Sequence, residues 1–361
     1  MHRISSLLIT LLLTFFCLAD AERPILKIGI IAPMSGDASF IGEDVRNGAT
    51  LALEDIGDTG VKYDLIYEDN QNVNRLSNEA AQKLIHIDKA DIIYSLWTNG
   101  AEIVGPLAER SHIIQFNTGW EPEAARKYHW TLVYGASYED FAAKSVALFK
   151  QAGCKRVAIA EMLHVDVIKV VDAALPLFKK EGIQIVFNEP VTPDLRDFRT
   201  WILKIRSANP DGLWEPYWDP PQDAIFHRQM RELQYRPVFM TGYYDFFSPD
   251  LVRNVDNSYY PSELWAKDAF TKHFKERFGH PFLSRAAHIY DMTTIVIKTT
   301  EGFYSAHHRL PSHEELLALL KTPRELSDLM VGPGRMHSDG WIEVPFAIRE
   351  IKNGKIVEAH L

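Results

Sequence analysis

Residues Lys27 to Glu54, KIGIIAPMSGDASFIGEDVRNGATLALE, constrain the fold more than any other stretch of the chain. Ile28, Gly29, Ile30, Ile31 and Ala32 form a short unbroken apolar run that Pro33 cuts off. That is the pattern of a strand buried on both faces, which belongs in a parallel sheet. Met34-Ser35-Gly36-Asp37 is turn-rich, and from Gly42 onward Val45, Ala49, Ala52, Leu53 and Ile56 recur at helical spacing. The stretch reads strand, loop, helix. In open α/β sheets ligands bind in the crevice beyond the carboxyl ends of the strands. The loop, with Ser35 in it, is therefore either a wall of a site or an ordinary βα turn.

The same alternation repeats downstream. Tyr63 to Tyr67 reads as a second strand and Asn74 to Asp88 as a helix whose apolar face is Leu76, Ala80, Leu84 and Ile87. Asp91 to Leu96 is a third strand, Ala101 to Arg110 a short helix and Ile113 to Phe116 a fourth strand. Such an order implies a parallel sheet covered by helices on both faces, because each crossover is right-handed. Near Leu132 to Tyr138 the pattern restarts, with Ser137 and Asp140 spaced as a capping box before a helix over Phe141 to Gln151. Strands follow at Arg156 to Ala160, Gln184 to Phe187, Gly212 to Trp214 and Val238 to Met240. They alternate with helices over Val167 to Lys180, Phe198 to Ser207 and Ala224 to Gln234. Pro176 is expected to kink or end the first of these helices. Helices are then expected over Glu263 to Phe278, Ser284 to Tyr304 and Glu314 to Leu320. Asn353-Gly354 between two strand-like runs predicts a hairpin. The expected class is α/β, with two doubly wound parallel-sheet lobes.

Residues 1 to 21 stand apart from this pattern. Arg3 precedes an apolar run from Leu7 to Leu18, and Ala19-Asp20-Ala21 fits a small-x-small cleavage site, so a removable export signal is expected there. The run is too short for a membrane span, which needs roughly 20 residues, and no later stretch comes close. Thr14-Phe15-Phe16 before Cys17 lacks the small residue of a lipid-attachment site. Losing Arg3 and Asp20 together leaves the net charge at −9, a poor balance for binding nucleic acid. Cys154 alone then remains, so stability must come from packing without an internal disulfide. About 340 remaining residues exceed what one core usually holds, which argues for two domains. HExxH, CxxC and GxSxG motifs are absent from the sequence. His164 with Asp166 is a conceivable acid–base pair without a nucleophile. The chain is read as a non-enzyme, with no catalytic residue, cofactor or metal expected.

Taken together, KIGIIAPMSGDASFIGEDVRNGATLALEDI, then Tyr67-Glu68-Asp69-Asn70, and GPGRMHSDG at Gly332 to Gly340 resemble the periplasmic solute-binding proteins of the branched-chain amino-acid class. The resemblance covers nearly the whole chain after the leader. It implies two lobes joined by three hinge crossings, near Tyr134, Asn254 and Gly332. Lobe 1 would be 22–134 with 255–331, and lobe 2 would be 135–254 with 332–361. It also implies a monomer in the periplasm that closes on a small molecule and delivers it to an inner-membrane ABC permease, or reports it to a membrane sensor.

In that family the loops after the third and fourth strands hold a ligand carboxylate. Here they are Trp97-Thr98-Asn99-Gly100-Ala101 and Asn117-Thr118-Gly119-Trp120. The first leads into a helix amino terminus, which favours an anion. Thr98 is the leading candidate, with a plain N-cap as its other reading. Gly119 is a contact or a turn glycine. Where amino-acid binders place a tyrosine and a glutamate in lobe 2, the chain has Asp166 and Tyr243, which puts an α-amino acid ligand in doubt. Trp97, Trp120, Trp214, Tyr217, Trp218, Tyr243 and Tyr244 all fall at or just beyond expected strand ends. Such a lining suits a flat or aromatic carboxylate by stacking, or a quaternary ammonium by cation–π attraction. Glu215 and Asp219 would be a counter-charge or solvated lip residues.

Overall fold

Strand β1 (Ile25–Ala32) lies in the middle of a parallel array, between β2 (Lys62–Asp69) and β3 (Ile92–Leu96). Ile28 and Ile30 enter one core and Ile31 another on the opposite face, as expected of a strand covered on both sides. The computed structural model describes residues 23–36, 38–216, 220–245, 252, 255, 258–263, 266–282 and 285–359, so the leader lies outside the described residues. Beyond β3 come β4 (Ile114–Thr118) and β5 (Thr131–Gly135), still parallel. Helix α1 (Ser39–Ile56) follows β1, α2 (Asn74–Lys83) follows β2, α3 (Trp97–Ser111) follows β3, and the short α4 (Glu123–Lys127) follows β4. Among the described residues no helix is long and apolar enough to cross a membrane.

The second lobe is built on a four-stranded parallel sheet. Helix α5 (Tyr138–Gln151) leads into β6 (Arg156–Ile159), and the sheet order is β7 (Gln184–Phe187), β6, β8 (Gly212–Glu215), β9 (Phe239–Gly242). Helices α6 (Val165–Lys180), α7 (Arg199–Ser207) and α8 (Pro220–Glu232) connect them. Pro176 does not end α6, which runs on to Lys180. Ser137 caps α5 by accepting the Asp140 N–H at 3.1 Å. The Asp140 carboxylate does not close the box; it accepts the Phe346 N–H at 2.8 Å and so ties a distant segment to this helix.

Strand pairing moves two of the expected boundaries. β10 (Ser258–Ser262) pairs antiparallel with β14 (Ala347–Lys352), which pairs with β15 (Lys355–Glu358) around the expected Asn353-Gly354 turn. Thr241 Oγ1 donates to the Tyr259 carbonyl at 2.7 Å, fixing this small sheet to β9. Residues 258–262, expected in lobe 1, thus pack with lobe 2. Conversely β12 (Gly334–Met336) and β13 (Trp341–Glu343), expected in lobe 2, extend the first sheet, whose order is β11 (Arg324–Leu326), β12, β13, β5, β4, β3, β1, β2. The cause is the otherwise bare edge of β5: β13 pairs parallel with it, Ile342 opposite Tyr134, and Ile342 becomes fully buried. The chain therefore changes lobes after Gly135, between Ser262 and α9 (Asp268–Phe278), and between Glu343 and Ala347. The long α10 (Ala286–His307) and the shorter α11 (His313–Leu320) complete the first lobe.

Gly135 is where the first and third of these crossings meet. Its carbonyl accepts the Val344 N–H at 3.2 Å and the Trp341 indole N–H at 3.0 Å. Its φ of +151° is open mainly to glycine, and a Cβ there would lie 2.4 Å from the Gly119 carbonyl oxygen. Gly135→Ala is expected to lower stability by roughly 1–3 kcal/mol, read as a lower urea midpoint with an unchanged slope. An unmoved midpoint would show that the crossing has room for a side chain.

Candidate ligand-binding site

Strand ends from both sheets converge on one narrow pocket. From lobe 1 come Trp97 and Thr98, which follow β3, and Gly119 and Trp120, which follow β4. From lobe 2 come Tyr138 at the start of α5, Asp166 in the first turn of α6, and Tyr243 just after β9. Glu263, just past β10, and Arg285, just before α10, close the floor. The space left between these walls is about 20 Å³, room for little more than one water. A larger molecule therefore needs the lobes to part. A roomier groove of about 780 Å³ runs between α10 and residues 324–330, but all its walls belong to one lobe, so hinge closure does not engage it.

Two backbone features bring the lobe 1 loops together. α3 begins at Trp97 rather than at Ala101, and Trp97 itself has φ +61°, a strained value for a bulky residue. Asn117 holds it there, donating from Nδ2 to the Trp97 carbonyl at 3.0 Å and to Ser95 Oγ at 2.9 Å. Gly119 has no room for a side chain, since a Cβ would lie 2.9 Å from Asn117 Oδ1 and 3.2 Å from the Trp97 carbonyl carbon. Thr98 falls inside the first helical turn and is not the N-cap. Its hydroxyl is 2.6 Å from the Tyr138 hydroxyl across the cleft, and the Tyr138 hydroxyl donates to Asp166 Oδ1. That chain of contacts spans the two lobes.

The floor is a buried ion pair. Arg285 grips Glu263 with two N–H groups, at 2.7 and 2.9 Å, and also donates to Thr118 Oγ1 at 3.3 Å. Glu263 further accepts the Trp120 indole N–H and the Tyr243 hydroxyl at 2.7 Å. Burial alone would raise the Glu263 carboxyl, but the Arg285 charge and these donors outweigh it and hold it below its ordinary value. Nearby His288 is pushed down to about 3, by burial first and by the Arg285 charge second, so it stays neutral. Among the described residues no group of three His, Cys, Asp or Glu side chains could hold a metal ion.

Trp97, Thr98, Gly119, Trp120, Asp166 and Tyr243 thus share one pocket, with Thr118 directly beneath it. Four other candidates lie elsewhere. Ser35 is exposed and donates to Asp69 at the ends of β1 and β2. Asn99 turns the other way and donates to Asn74 at 2.9 Å. Trp214 is fully buried inside lobe 2 against Phe141 and Phe178, and Tyr244 packs on Tyr260 in a small separate core. Adjacent residues of an extended chain point to opposite sides, so Tyr243 in the pocket sends Tyr244 away from it. Glu215 is no lip residue: it is buried, 3.2 Å from His227 Nε2. Tyr217, Trp218 and Asp219 lie outside the described residues. Tyr138, Glu263 and Arg285 were not among the site candidates of the sequence reading, and Glu263, expected to open a helix, instead follows β10 with the helix starting at Asp268. Only Tyr138 carried a usable signal, as the first residue after the Ser137 cap.

Residues 25–355 match the family described as periplasmic binding protein. A curated relative, the Leu/Ile/Val-binding protein BraC3 of Rhizobium johnstonii, is 26% identical over 238 residues, spanning 64% of each chain. The alignment therefore covers just under two thirds of that relative. The leucine-binding protein LivK of Thermotoga maritima superposes with a TM-score of 0.80 at 18% identity, covering 93% of this chain and 98% of that one. A solute-binding protein of an R. palustris ABC transporter, solved with 4-hydroxybenzoate, gives 0.79 at 20% identity, covering 93% and 96%. The two-lobed α/β architecture and a match running through all three crossings place this chain in the periplasmic binding protein family.

Proposed function

We propose that this chain is the solute-capturing component of an ABC transporter, closing on a small organic molecule and presenting it to an inner-membrane permease. Export by the leader at 1–21 and residence in the periplasm belong to this reading, as does binding without a covalent step. The solute class is an aromatic or otherwise flat carboxylate, or an amino-acid-like molecule. The observation that carries it is the pocket itself, in which Trp97, Trp120, Tyr138 and Tyr243 converge from both lobes on hydroxyls and the amino termini of α3, α5 and α6. Contacts made to both lobes at once drive closure of such a hinge, and rings with a few oriented polar groups give shape and burial. Solved relatives with 4-hydroxybenzoate and with benzoate, and another with isoleucine, span the same range of ligands.

A thermal-shift panel tests this. Aromatic carboxylates, with or without an amino group, are expected to raise the melting temperature more than leucine or valine. At about 100 times its dissociation constant the best should add roughly 2.7 kcal/mol of stability. Thr98→Ala should weaken that ligand by about 1 kcal/mol or more. Leucine emerging as the best ligand would reject the aromatic reading, and an unchanged affinity in Thr98→Ala would reject the assignment of that loop.

A further inference from the structure

The charges around the pocket do not balance. Glu263 is matched by Arg285 in a two-pronged pair, and Glu121, beside Trp120, is matched by Lys169 of α6. Asp166 remains. Its carboxylate accepts the Tyr138 hydroxyl, and its nearest basic group is His164 Nδ1 at 3.7 Å. That same nitrogen accepts the Asp166 backbone N–H at 3.3 Å and lies beyond hydrogen-bond reach of the carboxylate. Lys169, one turn further along α6, is directed to Glu121 and lies 5.5 Å from the centre of the Tyr138 ring. Among the described residues Asp166 is thus the pocket carboxylate that no lysine or arginine pairs, on a side chain only 19% exposed.

We propose that Asp166 is the specificity-determining residue of this cleft and selects ligands that bear a positively charged nitrogen over simple aromatic acids. This rests on the reading of the pocket as a solute-capturing cleft and narrows its ligand class. A purely anionic ligand would add a second negative charge beside Asp166 in a space that closure dries, where like charges repel most strongly. A cationic nitrogen offsets the Asp166 charge and is drawn to the electron-rich faces of the surrounding aromatic rings, the kind of lining that recognises ammonium and methylated ammonium groups. Thr98 and Asp166 touch the same Tyr138 hydroxyl. An acceptor for the nitrogen thus lies two hydrogen bonds from the hydroxyl proposed to hold a carboxylate, so a compact zwitterion satisfies both.

Matched probes on the mature chain decide it: 3-phenylpropionate against L-phenylalanine, and benzoate against benzyltrimethylammonium, titrated by calorimetry into wild type and Asp166→Asn. In wild type each nitrogen-bearing probe is expected to bind at least tenfold tighter than its acid partner. Asp166→Asn, which keeps an acceptor for Tyr138, should erase that preference and leave the acids unchanged or tighter. Acids binding as well as their partners in wild type, or a preference that survives in the variant, would overturn the proposal. If only the acids bind, the capture reading stands and this one falls; if no probe binds, both fall. Should the variant fail to fold, the wild-type ranking alone still decides.

Discussion

Trp120→Ala is expected to lower stability by about 3–5 kcal/mol, the range for truncating a large buried aromatic. Trp120 follows a strand of the first lobe, yet its ring is built into the core of the second. It stacks on Phe141 at 5.4 Å and meets Phe346, Tyr243 and Tyr138 edge-on at 4.9, 5.2 and 6.0 Å. Its N–H donates to Glu263, and its neighbour Glu121 pairs with Lys169 of the second lobe. The indole is thus a peg from one lobe in a socket of the other, close to the first crossing at Gly135. Removing it empties the socket and strips a donor from a buried carboxylate at the same time. Trp120→Phe keeps one six-membered ring and loses the pyrrole half of the indole with its N–H, so it should cost about 1–3 kcal/mol. Urea denaturation checks both variants. If the peg couples the lobes, Trp120→Ala should also broaden the transition, because each lobe then unfolds more independently. A loss below about 1 kcal/mol would show that the ring contributes little to joining the lobes.

Why Trp120 could be picked out from the sequence and Arg285 could not is a matter of range. β1 is marked by an unbroken apolar run, β2 to β4 by short apolar-rich segments and the helices by their periodicity, all set by residues a few positions apart. In a parallel sheet every strand of one lobe ends at the same edge, so residues just past a strand end, such as Thr98 and Gly119, are placed beside one another by topology alone. Parity was the first thing missed. Whether Trp214 faces the cleft or α5 depends on the pleat, and nothing local to Gly212–Glu215 says which. Pairing was the second: β13 belongs beside β5 because that edge needs covering, a fact about the assembled sheet that no feature of Trp341–Glu343 announces. Glu263 and Arg285 sit on a hinge crossing and before a helix, 22 residues apart. Their meeting depends on how the lobes are set against each other.

That meeting makes Arg285→Met the sharpest probe of the floor. It should cost about 3–5 kcal/mol at neutral pH, the loss expected when one partner of a buried pair is removed and the other is left charged. Both residues are 3% exposed along their side chains, so water cannot take over as partner. The effect carries a sign in pH. In wild type Glu263 lies below its ordinary value of 4.5, so its contribution is complete above that value and is lost as pH falls through the folded value. Without Arg285, burial wins, Glu263 moves above 4.5, and its contribution turns unfavourable wherever the unfolded chain would be ionised. The gap between wild type and variant should therefore be widest near pH 7, narrow as pH falls through the raised value of the variant, and close only below the depressed wild-type value, where Glu263 is protonated in both. Asp291, which burial pushes up to about 7, weakens both proteins alike as pH rises through that range and cancels in the difference. Adding Glu263→Gln to Arg285→Met removes the stranded charge, so the double variant should be more stable at neutral pH than Arg285→Met alone. A gap that stays constant from pH 7 to pH 4, or a double variant no better than the single, would mean that Arg285 acts through packing and not through its charge on Glu263.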